Sequence, residues 1–239
     1  MLLKTIVTYD PHHQAYEVLR RGKWFGRLHP SQAKALFDAG RMETYEAGES
    51  LYREAYDAPG LFGLLDGAVH FDRFDMSGQR ILLNIAGPGY WFGDIATAEE
   101  RHTIVNATAF GPVRAWRVPP TSANQVMDHS PELLAAFHEL VAARFDGVIE
   151  LVCALRRSSV LARVAGRLAL LDRICKEGDS DVDISVIHMT QNDLADMIGH
   201  VRQTVNTTVK RLERDKLIRI GNRQITILDP TRLEQYAMS

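Results

Sequence analysis

Five polar side chains between positions 202 and 210 have the types and the spacing needed to contact DNA bases. They stand at i, i+1, i+4, i+5 and i+8 of one segment: Arg202, Gln203, Asn206, Thr207 and Lys210. On a helix these positions form one continuous strip. Arginine pairs with guanine, asparagine and glutamine pair with adenine, and threonine offers a hydroxyl or a methyl group. The strip therefore predicts hydrogen bonds to base edges in a DNA groove.

The charge around this strip also favours a nucleic-acid partner. Between positions 200 and 223 there are seven Lys or Arg residues (202, 210, 211, 214, 216, 219 and 223) and two acidic residues (213 and 215). The local excess is five positive charges (7 − 2), whereas the whole chain has a formal net charge of −2. Contact with DNA must therefore come from this localised patch.

The elements that position the strip are predicted to be two helices joined by a tight turn. Thr190 has N-cap chemistry, and Asp193 stands where a capping-box carboxylate reaches back to the start of the first helix. Gly199 permits a left-handed residue and ends that helix. The second helix is predicted from about position 201 to position 215, with Val205, Val209 and Leu212 on its buried face.

A small β-hairpin is predicted to follow the second helix. Residues 217–220 and 224–228 have the composition of strands, and Gly221-Asn222 supplies the turn. A shorter strand is predicted over residues 182–187, and a first helix from about position 160 to about Gly178. The segment is thus predicted to be a helix-turn-helix with a wing.

The run MTQNDLADMIGHVRQTVNTTVKRLERDKLI closely resembles the DNA-binding domain of the Crp–Fnr family of bacterial transcription regulators. In that family an arginine at the place of Arg202 commonly pairs with guanine. Two positions depart from the family pattern: Gln203 stands where several members have Glu, and Thr207 where many have Arg. The candidate DNA-binding residues are Thr190, Gln191, His200, Arg202, Gln203, Thr204, Asn206, Thr207 and Lys210.

The middle of the chain, residues 41–119, is predicted to be a jelly-roll β-barrel. Glycines at frequent intervals separate short strands. Val69 and Phe71 alternate with His70 and Asp72, and three aliphatic residues of the next strand are expected to share a face: Ile81, Leu83 and Ile85. Residues 75–78 supply a hairpin turn. The fold class is therefore α+β.

Such a barrel also suits a metal-dependent cupin enzyme, which requires closely spaced histidines and a carboxylate. His70 and His102 are isolated from each other in the sequence, and no Gly-x-Ser-x-Gly motif is present. We therefore expect no metal site and no catalysis. The cupin remains an alternative, which stoichiometric bound metal would support. A protein-interaction module is a second alternative.

Residues 47–95 resemble the cyclic-nucleotide-binding β-roll of the Crp–Fnr family. The resemblance implies a phosphate-binding cassette in which backbone N–H groups near Gly93 and the guanidinium of Arg101 hold a phosphate. Asp94 replaces the glutamate that takes the ribose hydroxyl, His102 replaces a small hydroxyl residue, and the loop is short. Two apolar residues, Val148 and Ile149, align near the adenine-contacting hydroxyls. We therefore expect that cyclic AMP does not bind. The candidate effector-binding residues are Gly93, Asp94, Ile95, Arg101, His102 and Thr103.

Other cofactors of the family are not expected either. Cys153 and Cys175 cannot supply the four thiolates of an iron–sulfur cluster. Cys153 lies in an apolar run and is expected to be buried. Haem would need His70 or His102 as an axial ligand, but a lone histidine is more often structural. The effector therefore stays unidentified, and a ligand-free roll is an open alternative.

A long helix is predicted over residues 131–156. Its apolar residues recur at three- and four-residue steps, and Arg144 interrupts the stripe; they are Leu134, Phe137, Val141, Val148, Leu151 and Leu155. The resemblance implies that this helix is the dimer coiled coil. The domains are predicted as an irregular or partly ordered arm (1–23), an effector-sensing roll (24–130) that opens with a short helical lead-in, a dimerisation helix and hinge (131–157) and a winged helix-turn-helix (158–239).

The composition is that of an ordinary globular protein, with 239 residues, 46% hydrophobic and 24% charged. The apolar run at the start is too short for a signal peptide, and no stretch reaches membrane-spanning length. We expect a cytoplasmic homodimer that regulates transcription at a pseudo-palindromic double-stranded operator, with RNA polymerase as a further partner. Whether it activates or represses stays open.

Overall fold

The computed structural model describes residues 10–55, 59–94, 102–157 and 159–238. The chain is α+β, and its first helices are α1 (Pro11–Arg21), α2 (Lys23–Arg27) and α3 (Pro30–Asp38). The Asp10 carboxylate caps α1 by accepting from the His12 N–H at 3.0 Å. Ala15 and Leu19 are buried in one core with Phe25. The prediction of an irregular arm is therefore wrong for residues 11–21, which form an amphipathic helix. The predicted helical lead-in corresponds to α2 and α3.

The β-roll follows these helices. Its strands are β1 (Arg41–Tyr45), β2 (Ser50–Tyr52), β3 (Leu61–Asp66), β4 (Val69–Phe74), β5 (Arg80–Ala86), β6 (Trp91–Phe92), β7 (Asn106–Ala109) and β8 (Val113–Val118). Within the described residues they form two antiparallel sheets, ordered β1-β8-β3-β6 and β2-β7-β4-β5. Aromatic side chains fill the space between the sheets, and Phe62 stacks on Phe92 with ring centroids 5.2 Å apart. The predicted jelly roll is confirmed.

Strand β5 does not place its aliphatic residues as predicted. The register shifts between Phe71 and Asp72 of β4, so that the alternation of side chains along β5 is interrupted. Leu82 and Ile85 are buried, whereas Ile81 is 39% exposed. The expectation that Ile81, Leu83 and Ile85 share a face is therefore wrong. The hairpin turn before β5 is confirmed, since the Asp75 carboxylate accepts from two backbone N–H groups.

Helix α4 (Pro120–Asp128) leads to the long helix α5 (Pro131–Leu155). Ser130 caps α5, and Pro131 occupies its first turn, where a missing N–H costs nothing. The first half of α5 buries Phe137 and Leu140 against the N-terminal helices. Trp24 stabilises this contact, because its Nε1–H donates a hydrogen bond to the Ala136 carbonyl at 2.8 Å.

The apolar stripe of α5 therefore divides into two parts. The interpretation that Phe137 faces a partner helix is wrong, because it packs inside its own chain. The second half carries exposed apolar side chains, which we call the apolar strip: Phe145, Val148, Ile149, Val152 and Leu155. Cys153 is exposed beside this strip, so the prediction that it is buried is also wrong.

The C-terminal elements form a winged helix-turn-helix, as predicted. They are α6 (Val160–Gly178), β9 (Val186–Ile187), α7 (Gln191–Ile198), α8 (Arg202–Arg214), β10 (Ile218–Gly221), β11 (Gln224–Ile227) and α9 (Pro230–Met238). Strand β9 is shorter than predicted. Gly221 pairs with Gln224, so the turn of the wing is Asn222-Arg223, one position later than predicted.

The roll and the winged helix-turn-helix share a hydrophobic core. Leu82 and Ile85 of β5 belong to the same buried cluster as Leu168 of α6 and Leu194 of α7. Among the described residues, no helix is long and apolar enough to cross a lipid bilayer.

Candidate functional site

The turn between α7 and α8 is fixed by local chemistry. Thr190 Oγ1 accepts from the Asp193 N–H at 3.1 Å, and Asp193 Oδ2 accepts from the Thr190 N–H at 2.7 Å. Burial raises the pKa of Asp193, but the hydrogen bonds from Thr190, together with His70 and Arg80, bring the pKa below its ordinary value. Gly199 ends α7 in the left-handed region, at φ 64° and ψ 40°. Capping box and glycine together determine where α8 begins.

Helix α8 presents one apolar face and one polar face. Val205, Val209 and Leu212 are fully buried, so the opposite side of the helix must point outward. We call the polar residues on that side the recognition surface: Arg202, Gln203, Thr204, Asn206, Thr207 and Lys210. Asn206 is half-buried and the other five are exposed. The predicted strip is thus brought together on one helix surface.

Several polar groups of the recognition surface have no partner in the described part of the chain. Arg202 and Lys210 form no salt bridge with any residue that the structure describes. Asn206 Oδ1 has no hydrogen-bond partner in the same part of the chain. Thr207 Oγ1 donates to the Gln203 carbonyl at 3.0 Å. The cations of Arg202 and Lys210, both exposed, are therefore available to an external ligand.

The other candidate DNA-binding residues flank this surface. Thr190 and Gln191 are half-buried at the start of α7, and His200 is half-buried in the turn. Arg223, which the sequence counts with the basic patch, stacks instead on Phe110 of the roll, 4.3 Å from the ring centroid. This cation therefore belongs to the contact between domains.

A polar cluster joins the roll to the first helix of the helix-turn-helix. Arg80 Nε lies 2.7 Å from Asp72 Oδ2, and Arg80 Nη1 lies 3.1 Å from Asp193 Oδ1. His70 Nε2 is 2.9 Å from the His188 carbonyl, so this nitrogen carries the proton. His70 Nδ1 then accepts from Arg80 Nη2 at 3.3 Å. The carboxylate that caps α7 is thus tied directly to the sensor domain.

A cavity of about 650 Å³ lies between the roll, α5 and α6. Its walls are mainly apolar and aromatic, and include Tyr52, Phe71, Tyr90 and Phe92 from the roll. Burial is the main cause that raises the pKa of Tyr90 to about 12; Arg144 acts against burial, while Glu177 and Asp94 act with it. The Tyr90 hydroxyl therefore stays neutral at physiological pH. A cavity of this size and lining suits a small organic molecule.

Arg144 crosses from α5 into this cavity. Its Nη2 donates to the Trp91 carbonyl at 2.6 Å, and its guanidinium lies over the Tyr90 ring at 4.3 Å. Its Nε is 3.5 Å from Asp94 Oδ2, and its Nη1 is 3.7 Å from Glu177 Oε2. One side chain therefore connects the roll, the long helix and α6.

The candidate effector residues occupy one end of the cavity, as far as they are described. Gly93, Asp94, His102 and Thr103 line it. Gly93 has φ +86°, and a Cβ there would meet the Gly60 carbonyl. Thr103 Oγ1 donates to the Arg53 carbonyl. Ile95 and Arg101 lie outside the described residues. The described residues bring together no group of three His, Cys, Asp or Glu able to hold a metal ion.

Two family models match the chain. A Crp-like helix-turn-helix domain matches residues 162–236, and a cyclic nucleotide-binding domain matches residues 42–130. The chain belongs to the Crp–Fnr family. It is a DNA-binding transcription regulator with a cyclic nucleotide-binding domain.

Curated Crp–Fnr proteins of known role are similar along most of this chain. The nitrogen fixation regulation protein FixK of Bradyrhizobium diazoefficiens is 27% identical over 200 residues, covering 83% of this chain and 82% of FixK. The CRP-like cAMP-activated global transcriptional regulator of Mycobacterium tuberculosis is 25% identical over 224 residues, covering 92% of this chain and 99% of that protein. The structure of FixK2 from Bradyrhizobium japonicum is 20% identical, covers 82% of this chain and 96% of that chain, and has a TM-score of 0.70.

Two features of the described sensor cavity depart from the cyclic-nucleotide site that the family resemblance implies. The side chain at the ribose-acceptor position, Asp94, is already adjacent to Arg144. Helix α5, which the structure describes throughout, lines the cavity with no hydroxyl side chain that would meet a base; its lining residues are Ala143, Arg144, Asp146, Gly147, Val148, Glu150 and Leu151. These two departures support the expectation that cyclic AMP does not bind.

Sequence reasoning missed the cavity residues outside the family cassette. In the sequence, Arg144 is visible only as an interruption of the apolar stripe. A charged residue within an apolar stripe is the signal that could have indicated a side chain facing inward. Arg167 and Tyr90 gave no comparable signal, because their burial depends on how α6 packs against β5.

Proposed function

We propose that the protein acts in the cytoplasm as a homodimer that binds a pseudo-palindromic operator and contacts RNA polymerase there. The proposal includes no enzymatic activity. Each chain would insert one α8 helix into the major groove, because a recognition helix fits that groove and base edges are distinguishable there. Two chains related by a two-fold axis would then contact two inverted half-sites.

The observation that supports the dimer is the apolar strip of α5. Phe145 is 67% exposed, Val148 54% and Val152 51%, although all three are large apolar side chains. Exposed apolar residues at helical spacing mark interaction surfaces, and a second copy of the same strip is self-complementary. The strip lies on the helix that ends at Leu155, four positions before Ser159, the N-cap of α6, so dimerisation would fix the spacing of the two DNA-binding domains.

The recognition surface would divide its contacts between bases and backbone. Arg202, in the first turn of α8, would pair with guanine, while Gln203, Thr204, Asn206 and Thr207 would contact neighbouring base edges. Lys210, eight residues further along the helix, would meet a phosphate. Thr190 and Gln191 at the N-terminus of α7 and His200 in the turn would contact the DNA backbone.

The experiment that tests the dimer compares Val148→Glu with the wild-type protein by analytical ultracentrifugation. A glutamate in the centre of the strip would have to be buried without a partner, so the variant should sediment as a monomer. Ile184→Glu is the matched control, because Ile184 is 52% exposed but lies outside α5. It should remain dimeric. A wild-type monomer at micromolar concentration would contradict the proposal.

A further inference from the structure

Arg167 is a buried arginine that has no counter-ion among the residues that the structure describes. It lies on α6 and is 2% exposed, although arginine is among the residues least often buried without a partner. Its Nη2 donates to the Leu83 carbonyl of the roll, and its Nε has no hydrogen-bond partner. No carboxylate within the described residues forms a salt bridge with it. A buried charge in this state is energetically costly, because it has lost its water without gaining an anion.

Burial alone accounts for the shift in the pKa of Arg167. It lowers the pKa of the guanidinium to about 10, and no neighbouring charge contributes. The side chain therefore remains protonated at neutral pH. A positive charge that stays in the interior under physiological conditions will attract an anion of complementary size.

The other two arginines in the lining that the structure describes already have partners. Arg144 has Asp94 and Glu177, and Arg173 has Glu150 and Glu234. Arg167 lines the same cavity. Of the three arginines in the described lining, Arg167 is therefore the one without a salt-bridge partner, although four carboxylates line the same cavity: Asp94, Asp146, Glu150 and Glu177.

The rest of the cavity wall favours a ligand that is mainly apolar. Aromatic rings from the roll face aliphatic side chains from α6, among them Leu170 and Ile174. We propose that the cavity binds an organic carboxylate with an apolar body, whose carboxylate pairs with Arg167 and whose body packs among these rings. The inference rests on the effector-sensing role that the sequence predicts for the roll, and it names the chemical class of the effector.

The position of Arg167 explains how such a ligand would influence DNA binding. Arg167 belongs to the segment that matches the Crp-like helix-turn-helix domain, whereas Leu83 belongs to the roll. A carboxylate at Arg167 would therefore bind at the boundary between the two domains. It would change the DNA affinity to the extent that it prefers one arrangement of α6 over another.

The test uses the full-length protein and matched pairs of probes. The carboxylates are 3-phenylpropanoate and decanoate, each compared with its uncharged amide, and cyclic AMP is the third kind of probe. Thermal unfolding is followed with each probe at about 1 mM, where a ligand of even modest affinity is bound. We expect at least one carboxylate to raise the melting temperature, with no rise from its amide or from cyclic AMP.

Two variants distinguish pairing with Arg167 from adventitious binding. Arg167→Met removes the unpaired charge and should weaken carboxylate binding at least tenfold, about the effect of losing one charge-assisted hydrogen bond. Arg173→Met is the matched control, since it removes a cavity arginine that already has partners, and it should retain binding. Stabilisation by carboxylate and amide alike, unchanged binding in Arg167→Met, or no stabilisation by either carboxylate would each overturn the inference.

The proposed DNA-binding function is measured separately. Operator affinity of the wild type without any probe reports on the recognition surface alone. If the protein binds its operator but no carboxylate, the ligand class is wrong and the proposed function stands. If it binds a carboxylate but no operator, the ligand class stands and the proposed DNA-binding function is wrong.

Discussion

Gly199 determines the direction in which α8 leaves α7. Its φ of 64° is costly for any residue with a Cβ, and the peptide N–H groups of Gly199 and His200 close the end of α7. The recognition surface is therefore positioned by backbone chemistry that the sequence displays locally. This is why the N-cap at Thr190, the capping box and the turn were all predicted correctly from residue type and spacing.

At the same scale, Arg202 and Lys210 are expected to have different roles on DNA. Arg202→Ala should weaken operator binding by about 1–3 kcal/mol and relax the preference at one base pair in each half-site. Lys210→Ala should weaken binding to operator and random duplex alike, because phosphate contacts do not depend on sequence. Fluorescence anisotropy on both duplexes measures this difference. Equal losses on both duplexes for both variants would contradict the assignment.

His70 is predicted to make the stability of the protein depend on pH. Burial lowers its pKa below the ordinary 6.5, although the hydrogen bond to the His188 carbonyl, Asp193 and Asp72 act in the opposite direction and Arg80 acts with burial. The unfolded chain therefore binds a proton near pH 6.5 that the folded chain still excludes. By linkage the free energy of unfolding falls as the pH drops below 6.5, by up to about 1.4 kcal/mol per pH unit until the folded-state pKa is reached.

The control for this effect is His70→Gln, which keeps a donor for His188 and an acceptor for Arg80 but does not titrate. Urea unfolding at pH 7.5 should show similar stability for both proteins. Between pH 6.5 and pH 5.5 the wild type should lose more stability than the variant. Parallel pH dependence of the two proteins would show that His70 does not act in this way.

At the scale of elements, the long helix α5 has two functions along its length. Its first half supplies Phe137 to the core of its own chain, and its second half carries the apolar strip. The apolar periodicity of α5 was visible in the sequence, but the surface that each residue meets was not. Which part is covered depends on α1 and α2, and residues 11–21 were not recognised as a helix.

The two halves of α5 should respond differently to substitution. Phe137→Ala should lower the free energy of unfolding by about 3–5 kcal/mol, as for other large core truncations, and leave the oligomeric state unchanged. Urea unfolding at fixed protein concentration, combined with sedimentation, measures both quantities. If Phe137→Ala produced a stable monomer, the assignment of Phe137 to the internal core would be wrong.

At the scale of the whole molecule, the fold and the family followed from the sequence, whereas the contact between the domains did not. His70 and Asp72 were predicted only to share one face of β4. They are buried because the helix-turn-helix covers that face, with Arg80 bridging Asp72 and Asp193. The buried charge at Arg167 has the same origin. Contacts between residues a hundred positions apart leave no periodic pattern in the sequence, so local reasoning could not find them.

The contact between the domains also sets a condition on DNA binding. The capping carboxylate of α7 and the guanidinium of Arg223 are both held by the roll. The orientation of α8 therefore depends on the sensor domain. Because α6 lines the cavity and packs against α8, a change in the cavity can alter the position of α8.

The most direct test of the account is selection of bound sequences from a pool of random DNA duplexes by the wild-type protein. A dimer that carries two α8 helices should enrich a sequence with two inverted half-sites whose centres are about 10 base pairs, or a multiple of that distance, apart. The same selection with Arg202→Ala should lose one base-pair preference in each half-site. Failure to enrich any sequence, or enrichment of a single half-site without an inverted copy, would contradict the account.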